Sequence, residues 1–209
     1  MDNEKKSMIK DALILFAITL VAGLLLGFVY DVTKEPIEQQ KAKAKAEACK
    51  NVFADADAFE AMASEDGPTA YFVAGTDLNV DIDEVMRALD SSGQLMGYVI
   101  TVTDHEGYGG DIQFSMGVKL DGTLNGISLL SISETAGLGM KAGDGLVPQF
   151  ANKKVERFTY TKSGSKDDSE IDVISGATIT TNAIVNGVNG GLAVFHGILA
   201  GNEGGGINE

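Results

Sequence analysis

The chain has 209 residues, with 16 basic and 30 acidic side chains and a formal net charge of −14. This charge excludes a phosphate-backbone partner such as nucleic acid, and the length suits one domain with an appendage. Cys49 is the only cysteine in the sequence, which excludes an intrachain disulfide and a cluster held by cysteines of this chain alone.

An uncharged and almost wholly apolar run occupies residues 12–30. As a helix it would span roughly 28 Å at about 1.5 Å per residue, which is close to the hydrocarbon thickness of a bilayer. A secretory signal has a shorter apolar core, and Val21-Ala22-Gly23 is a poor cleavage site. A buried core helix would carry a polar face. The run therefore predicts a retained transmembrane helix in contact with lipid, preceded by a short N-terminus at residues 1–11.

The segment after this run predicts a second helix, from Pro36 to about Phe59. Pro36 suits the first turn of a helix, and residues 39–49 are rich in Ala, Lys and Glu. The first half is polar on nearly all sides, so we expect residues 31–60 to form a helical stalk that begins to pack near Val52.

Strand signals fill the middle of the chain. Residues 112–120 alternate apolar and polar side chains, which predicts a strand with one buried face. Asp121-Gly122 and Ser91-Ser92-Gly93 are typical of hairpin turns. Four further runs predict strands at residues 71–73, 84–89, 95–102 and 124–132.

The last third of the sequence mixes helix and strand signals. Residues 146–156 predict a helix, residues 158–162 a strand, and residues 180–200 a final helix followed by a glycine-rich tail at residues 201–209. Because no βαβ rhythm is present, the predicted fold class is α+β. We expect a single transmembrane helix followed by one α+β domain with antiparallel strands, at residues 61–200.

The stretch D-V-I-S-G-A-T-I-T at residues 172–180 ends an apolar run on a small-residue turn and then enters the final helix. Small residues allow a backbone to approach a ligand closely, and the unpaired amides at a helix N-terminus favour an anion. A plain helix cap is the alternative, since Ser and Thr are standard cap residues.

Two more glycine-containing stretches precede this motif, S-E-T-A-G-L-G at residues 133–139 and G-Y-G-G at residues 107–110. Their glycines permit close approach to a ligand or turns with positive φ. On local grounds, a strand-to-helix loop explains the 133–139 stretch about as well.

The D-x-x-S-G-A-T-x-T pattern resembles the flavinylation motif of the FMN-binding domain family, found in the G subunit of the Rnf electron-transfer complex and the C subunit of the sodium-translocating NADH:quinone reductase. In that family a flavin transferase attaches FMN through a phosphoester to the last hydroxyl residue of the motif. The resemblance implies Thr180 as the acceptor, with a recognition frame formed by Asp172, Ser175, Gly176, Ala177 and Thr178.

The 133–139 stretch resembles the S-E-T-P-G-L-G stretch of the same family, which lies against the flavin, and residues 107–110 resemble the family's G-Y-x-G stretch. Ala136 stands where the family pattern has Pro, and losing Pro costs roughly half a kcal/mol of unfolded-state entropy. The resemblance implies further cofactor-binding residues at Glu134, Thr135, Gly137, Leu138 and Tyr108.

The family implies an electron-transfer subunit of an Rnf-type complex that passes electrons between ferredoxin and NAD and couples them to ion movement. Its partners would be the other membrane subunits and, during maturation, a flavin transferase; we expect no complete catalytic activity from this chain alone. Three alternatives stay open: a C-type quinone-reductase subunit, a membrane-anchored binding domain without a redox role, and a free-standing flavin reductase.

The resemblance also supplies the orientation, with the N-terminus in the cytoplasm and the FMN domain on the extracytoplasmic side of the cell membrane. The positive-inside rule hardly favours either orientation, because three lysines precede the apolar run and four follow it: Lys5, Lys6, Lys10, Lys34, Lys41, Lys43 and Lys45. No metal site is predicted, since His105 and His196 are far apart and neither has a second ligand at metal spacing.

Overall fold

A computed structural model of the chain describes residues 2–62 and 78–204. The strand predicted at residues 71–73 and the end of the predicted tail, residues 205–209, lie outside these ranges. The chain divides into two units, Met1–Ala44 and Lys45–Glu209, and each is described by itself.

The first unit is helical. Helix α1 covers Asp2–Val52 without a break, and Pro36 lies inside it. The prediction that a separate helix begins at Pro36 is therefore wrong. A proline removes one backbone hydrogen bond and crowds the preceding turn, and here the long helical runs on both sides continue through it. The most apolar window of this helix has a mean hydropathy of 2.8 and none of it is buried, as a lipid-facing segment requires.

The end of α1 belongs to the second unit, and it differs from the predicted helix to about Phe59. The helix ends at Val52, and Phe59 lies in strand β1, Ala58–Ala61, which pairs antiparallel with the next strand. Pairing at the edge of a sheet overrides the local helix signal here, because helix propensity is a weak preference.

A five-stranded antiparallel sheet forms the centre of the second unit, in the order β1-β2-β3-β4-β5. The strands after β1 are β2 Val80–Leu89, β3 Leu95–Asp104, β4 Ile112–Lys119 and β5 Leu124–Ser131. The Asp90–Gln94 and Lys119–Thr123 turns close two of the hairpins. The predicted α+β class with antiparallel strands is confirmed.

Strand β4 is buried on both faces, so the prediction of one buried face is wrong. Its apolar side chains, Phe114 among them, face the main core, while Ser115 and Gly117 lie on the opposite face. A Cβ on Gly117 would come within 2.9 Å of the Val52 side chain. The end of α1 therefore packs on Gly117, whereas the buried Ser115 hydroxyl lies 3.2 Å from the Thr101 hydroxyl of β3. That second core consists of Cys49, Val52, Phe53, Ala56, Met86, Ala88 and Val99.

The connection after β5 contains short helical turns rather than the predicted helix at residues 146–156. A 3₁₀ turn at Gly139–Lys141, helix α2 at Ala142–Gly145 and a 3₁₀ turn at Val147–Phe150 follow one another. The chain then extends at Ala151, and Lys153 pairs with Leu124 in an isolated bridge. This bridge uses the backbone groups that a continuing helix would need.

Two elements complete the second unit. Strands β6 Thr159–Thr161 and β7 Glu170–Asp172 form a short parallel pair, in contrast to the main sheet. Helix α3, Thr178–Gly204, begins two residues earlier and ends four residues later than the predicted 180–200. Its apolar face packs on β2, β3 and β4 and closes the main core.

Candidate functional site

The turn between β7 and α3 places the 172–180 motif. The Ala177 N–H donates to Ile174 O at 2.9 Å, and Gly176 has a φ of 79°. A tight turn with a positive φ at its third residue strongly favours glycine. A Cβ at Gly176 would also come within 3.0 Å of the Leu138 side chain, so this turn brings the motif against the 133–139 loop.

The first turn of α3 presents unpaired backbone donors. Ala177 O is the first helical acceptor, and it receives the Thr181 N–H at 3.0 Å and the Thr181 hydroxyl at 2.9 Å. The amides of Thr178, Ile179 and Thr180 therefore have no acceptor within the helix. Such amides, at the positive end of the helix dipole, suit an anionic group.

Thr180 itself is only 2 % exposed. Its hydroxyl faces the 133–139 loop at Gly139, where a Cβ would come within 2.6 Å of Thr180 Oγ1 and 2.7 Å of Glu134 Cβ. Only a residue without a side chain fits this contact, so Gly139 is needed for the close approach of the loop to the hydroxyl.

The loop at residues 107–110 closes the third side. The Gly109 N–H donates to Glu134 Oε1 at 3.3 Å, and a Cβ on Gly109 would overlap Ser133 O. Tyr108, on this loop, is 69 % exposed. The three stretches that the sequence singled out therefore meet at one place.

They surround an open cavity of about 480 Å³, within the size range of small-molecule and cofactor sites. Its lining is formed by Tyr108, Glu134, Thr135, Leu138, Gly139, Gly176, Ala177, Thr178, Ile179 and Thr180. Eight of these are predicted cofactor-binding residues. Ile179 was not singled out, because it fills a variable position of the motif. Two other cavities, one beside Asn189 and one beside Phe53, contain no residue of these stretches.

Three predicted residues lie beside the cavity rather than in its lining. Gly137 supports the loop with a φ of 79°, and Ser175 is exposed on the turn. The Asp172 backbone is held by Gln149, whose side chain accepts from Asp172 N at 2.7 Å and donates to Asp172 O at 3.1 Å. The role of Asp172 in recognition by a transferase stays a prediction.

The carboxyl of Asp104, at the start of the loop that carries Tyr108, is strongly perturbed. Asp104 is fully buried, and burial raises its pKa from 3.8 to about 7. Its Oδ1 accepts from the Glu106 N–H at 2.8 Å, whereas Oδ2 has no partner among the described residues. Asn186 of α3 donates to Glu106 Oε2 at 3.0 Å and ties this loop to the helix.

His105 is fixed by two carboxylates rather than by a metal-type arrangement. Nδ1 lies 3.0 Å from Asp111 Oδ1 and Nε2 lies 3.0 Å from Asp81 Oδ2. These hydrogen bonds raise the pKa of the imidazole above its ordinary value. The histidine therefore anchors the loop to β2.

The lining of the cavity suits a ligand with one anionic and one apolar end. Helix amides and the hydroxyls of Thr178 and Thr180 offer hydrogen-bond donors to an anionic group, and the side chains of Tyr108 and Leu138 offer apolar surface. No lysine, arginine or histidine is among the described residues that form the lining, so an anion here would depend on backbone dipoles and hydrogen bonds.

Comparisons with known proteins cover most of the chain. The FMN-binding domain family matches residues 107–193, and the RnfG N-terminal region matches residues 1–52. The chain is 32% identical over 195 residues to the G subunit of the Na⁺-translocating ferredoxin:NAD⁺ oxidoreductase complex of Acetobacterium woodii, covering 92% of this chain and 94% of that one.

Two further relatives and one solved structure are similar. The G subunit of the ion-translocating oxidoreductase complex of Methanosarcina acetivorans is 29% identical, with 90% and 94% of the two chains covered. The G subunit of the proton-translocating ferredoxin:NAD⁺ oxidoreductase complex of Clostridium ljungdahlii is 28% identical, with 86% and 90% covered. The crystal structure of Shewanella oneidensis NqrC matches with a TM-score of 0.47 and 20% identity, covering 71% of this chain and 74% of that one.

Proposed function

Because the chain belongs to the family of G subunits of Rnf-type ion-translocating oxidoreductase complexes, we propose that it relays electrons through FMN joined by a phosphoester to Thr180. The coarser function follows from the family: an electron-transfer subunit with an FMN-binding domain and an N-terminal membrane anchor. The covalent linkage and a role between ferredoxin and NAD are the proposal.

The position of the Thr180 hydroxyl carries the proposal. It lies in the lining of a cofactor-sized cavity, in the first turn of α3, next to three amides that have no helical acceptor. A phosphate esterified to Oγ1 would place its free oxygens at the positive end of the helix dipole. The glycine at position 139 lets the 133–139 loop lie close to this hydroxyl, because a Cβ there would come within 2.6 Å of Oγ1.

The remaining lining residues would contact different parts of the cofactor. Thr178 and Thr135 offer hydroxyl donors, and Leu138 and the exposed Tyr108 ring offer apolar surface to a planar ring system. FMN, when bound, supplies the redox chemistry, while the protein positions and tunes it. A covalent tether prevents loss of the cofactor on the extracytoplasmic side of the membrane, where we place this domain.

Maturation and assembly complete the proposal. A flavin transferase would recognise the turn that carries Asp172 and Ser175, of which Ser175 is exposed. Other membrane subunits of an Rnf-type complex would donate and accept the electrons, with lipid around residues 12–30 of α1, whose apolar side chains are exposed.

Thr180→Val is expected to abolish flavin attachment, because valine has nearly the same shape as threonine but no hydroxyl. The full chain is produced with a flavin transferase, purified from membranes, and denatured before intact-mass measurement. The wild-type chain should gain the mass of one esterified FMN and fluoresce in a denaturing gel, and peptide mapping should place the gain on the peptide with Thr180.

Thr180→Ser is the matched control, since it keeps an oxygen at the same position and is expected to retain the flavin. A wild-type chain without the mass increment refutes covalent attachment. Retention of the increment in the valine variant shows that another residue is the acceptor.

A further inference from the structure

We propose that Gln149 is a positioning residue that sets the spacing between two walls of the cavity. One wall belongs to the 133–139 loop, and the other is formed by the turn and helix start at residues 176–180. Gln149 lies outside the lining, further along the chain from the first wall. The inference rests on the proposed function, because the groups that Gln149 positions are Thr180 and the flavin attached to it.

The Gln149 side chain pairs with both backbone groups of Asp172. Its Oε1 accepts from the Asp172 N–H at 2.7 Å, and its Nε2 donates to Asp172 O at 3.1 Å. Nε2 also donates to Gly145 O at 2.7 Å, which fixes the carboxamide relative to its own segment. The planar amide therefore bonds to Asp172 in the way that a neighbouring strand would.

Asp172 needs such a partner because it lies on an uncovered edge. The Val173 N–H donates to Thr161 O of β6 at 3.0 Å, and β6 and β7 form a sheet of two strands. Successive residues of a strand direct their backbone groups to opposite sides, so those of Asp172 point away from β6. Asp172 is half-buried, and buried backbone groups require hydrogen-bond partners. Gln149 supplies both partners.

These two bonds are the only hydrogen bonds between residues 133–150 and residues 172–180 in the part of the chain that the structure describes. The close contacts between the two segments include Leu138 at Gly176 and Ile174 at Gly145. Apolar contacts are non-directional, whereas two bonds from one planar amide fix both a distance and an orientation. Gln149 therefore determines how the motif is placed relative to the first wall.

The placement matters because the two walls meet at Gly139 without spare room. The Cβ position of Gly139 lies 2.6 Å from Thr180 Oγ1. When the pairing at Asp172 is lost, the turn that leads to Thr180 is free to shift away from the 133–139 loop. A transferase then meets an acceptor hydroxyl whose position is not fixed, and an attached flavin is held less firmly between the walls.

Gln149→Met tests this role, because methionine has a similar length but cannot form the pair of hydrogen bonds. The unmodified full-length chain in detergent is treated with a purified flavin transferase and FAD, and attachment is followed by intact mass. We expect the KM for the chain to rise by about 5–30-fold, as the loss of two hydrogen bonds predicts. The final mass increment should still be one FMN, because Thr180 is unchanged. In the loaded variant, the fluorescence anisotropy of the flavin should be lower than in wild type.

Gln149→Glu is a second variant whose effect can be reversed by pH. An ionised carboxylate accepts from the Asp172 N–H but cannot donate to Asp172 O, whereas a protonated carboxyl can do both. The flavin anisotropy of this variant should be low at neutral pH. It should return towards the wild-type value as the pH falls towards the ordinary glutamate pKa of about 4.3. The wild-type chain, which contains the same Asp172 carboxylate, is measured at each pH for comparison.

Gln113→Met is the matched control, since Gln113 is also half-buried and donates to Asp83 and Thr103, away from the cavity. We expect it to keep the wild-type KM and anisotropy. Equal effects of the two methionine variants overturn the inference, because they show a general loss of stability. Wild-type behaviour of Gln149→Met overturns it as well.

If Gln149→Met does not fold, Gln149→Glu decides, and an anisotropy that does not recover at low pH overturns the inference. Failure of the proposed function gives a different result, a wild-type chain without the mass increment. That outcome overturns both, whereas a loaded wild-type chain with an unaffected Gln149→Met variant overturns this inference alone.

Discussion

Asp104 shows at the scale of a single residue how the site loop is held. Its side chain is fully buried at the end of β3, and one oxygen satisfies the Glu106 N–H while the other lacks a partner among the described residues. A buried carboxyl in this situation favours the protonated form, because desolvation penalises the charge. The loop that carries Tyr108 therefore begins at a group that changes charge near neutral pH.

Asp104→Asn is expected to change the pH dependence of stability. The folded-state pKa of about 7 exceeds the ordinary 3.8, so between these values the folded chain holds a proton that the unfolded chain has released. The stabilisation from Asp104 is complete below pH 3.8 and is lost as the pH rises through 7. Asparagine keeps the acceptor oxygen and cannot ionise.

Chemical unfolding of the detergent-solubilised chain at a series of pH values checks this expectation. The variant should gain stability relative to wild type as the pH rises between these two pKa values, by up to about 4 kcal/mol in total. The raised pKa of His105 gives a loss of stability in the same direction, but it is present in both proteins and largely cancels in the comparison. If the difference in unfolding free energy between the variant and wild type does not vary with pH, the raised pKa of Asp104 is contradicted.

At the scale of elements, helix α3 approaches the sheet closely because glycines line its inner face. A Cβ on Gly187 would come within 2.8 Å of the Phe114 ring, and one on Gly190 within 2.7 Å of the Val80 side chain. Glycine in a helix costs about 1 kcal/mol relative to alanine, and here that cost is offset by close packing on the buried strands. The position of α3 matters to function, because its first turn carries Thr180.

Gly187→Ala is expected to destabilise the second unit by about 1–3 kcal/mol, since the added methyl group meets the ring of Phe114, which is fully buried and has no room to move. Gly197→Ala on the same helix is the matched control. Nothing lies within 4 Å of its Cβ position, so alanine there should raise stability by about 0.5–1 kcal/mol. Thermal unfolding measures the change in stability caused by each variant. Equal changes at the two positions would show that helix propensity, rather than packing against Phe114, determines the effect of Gly187→Ala.

At the scale of the whole molecule, the chain joins an apolar membrane helix to a folded unit with an acidic composition. The proposed function expects the folded unit on the extracytoplasmic side. The lysines on the two sides of the apolar run leave this orientation nearly undetermined by charge. A direct measurement of sidedness is therefore informative about where the electron-transfer site lies.

A cysteine introduced at Ser163, which is exposed in the second unit, should be labelled by a membrane-impermeant maleimide in intact spheroplasts. A cysteine at Ser7, before the apolar run, should react only after the membrane is disrupted. The native Cys49 is 3 % exposed, so its background is small and is measured in the wild-type chain. The reverse pattern of labelling would place the folded unit in the cytoplasm.

The sequence by itself determined the features that depend on local chemistry. Composition and periodicity predict the membrane helix and the α+β class, and the resemblance of short motifs indicates the family; the structure confirms the class and the relatives confirm the family. Glycine-rich stretches were recognisable because positive φ angles and close approach restrict the choice of residue, as at Gly176 and Gly139.

Only the tertiary structure decided the features that depend on partners distant in sequence. The second buried face of β4 exists because the end of α1 packs on Gly117, and the predicted helix at residues 146–156 stops because Lys153 pairs with Leu124. The approach of Glu134 to Thr180 across Gly139 is of the same kind. Such contacts join segments tens of residues apart, and packing energies there exceed the local preferences from which a sequence is interpreted.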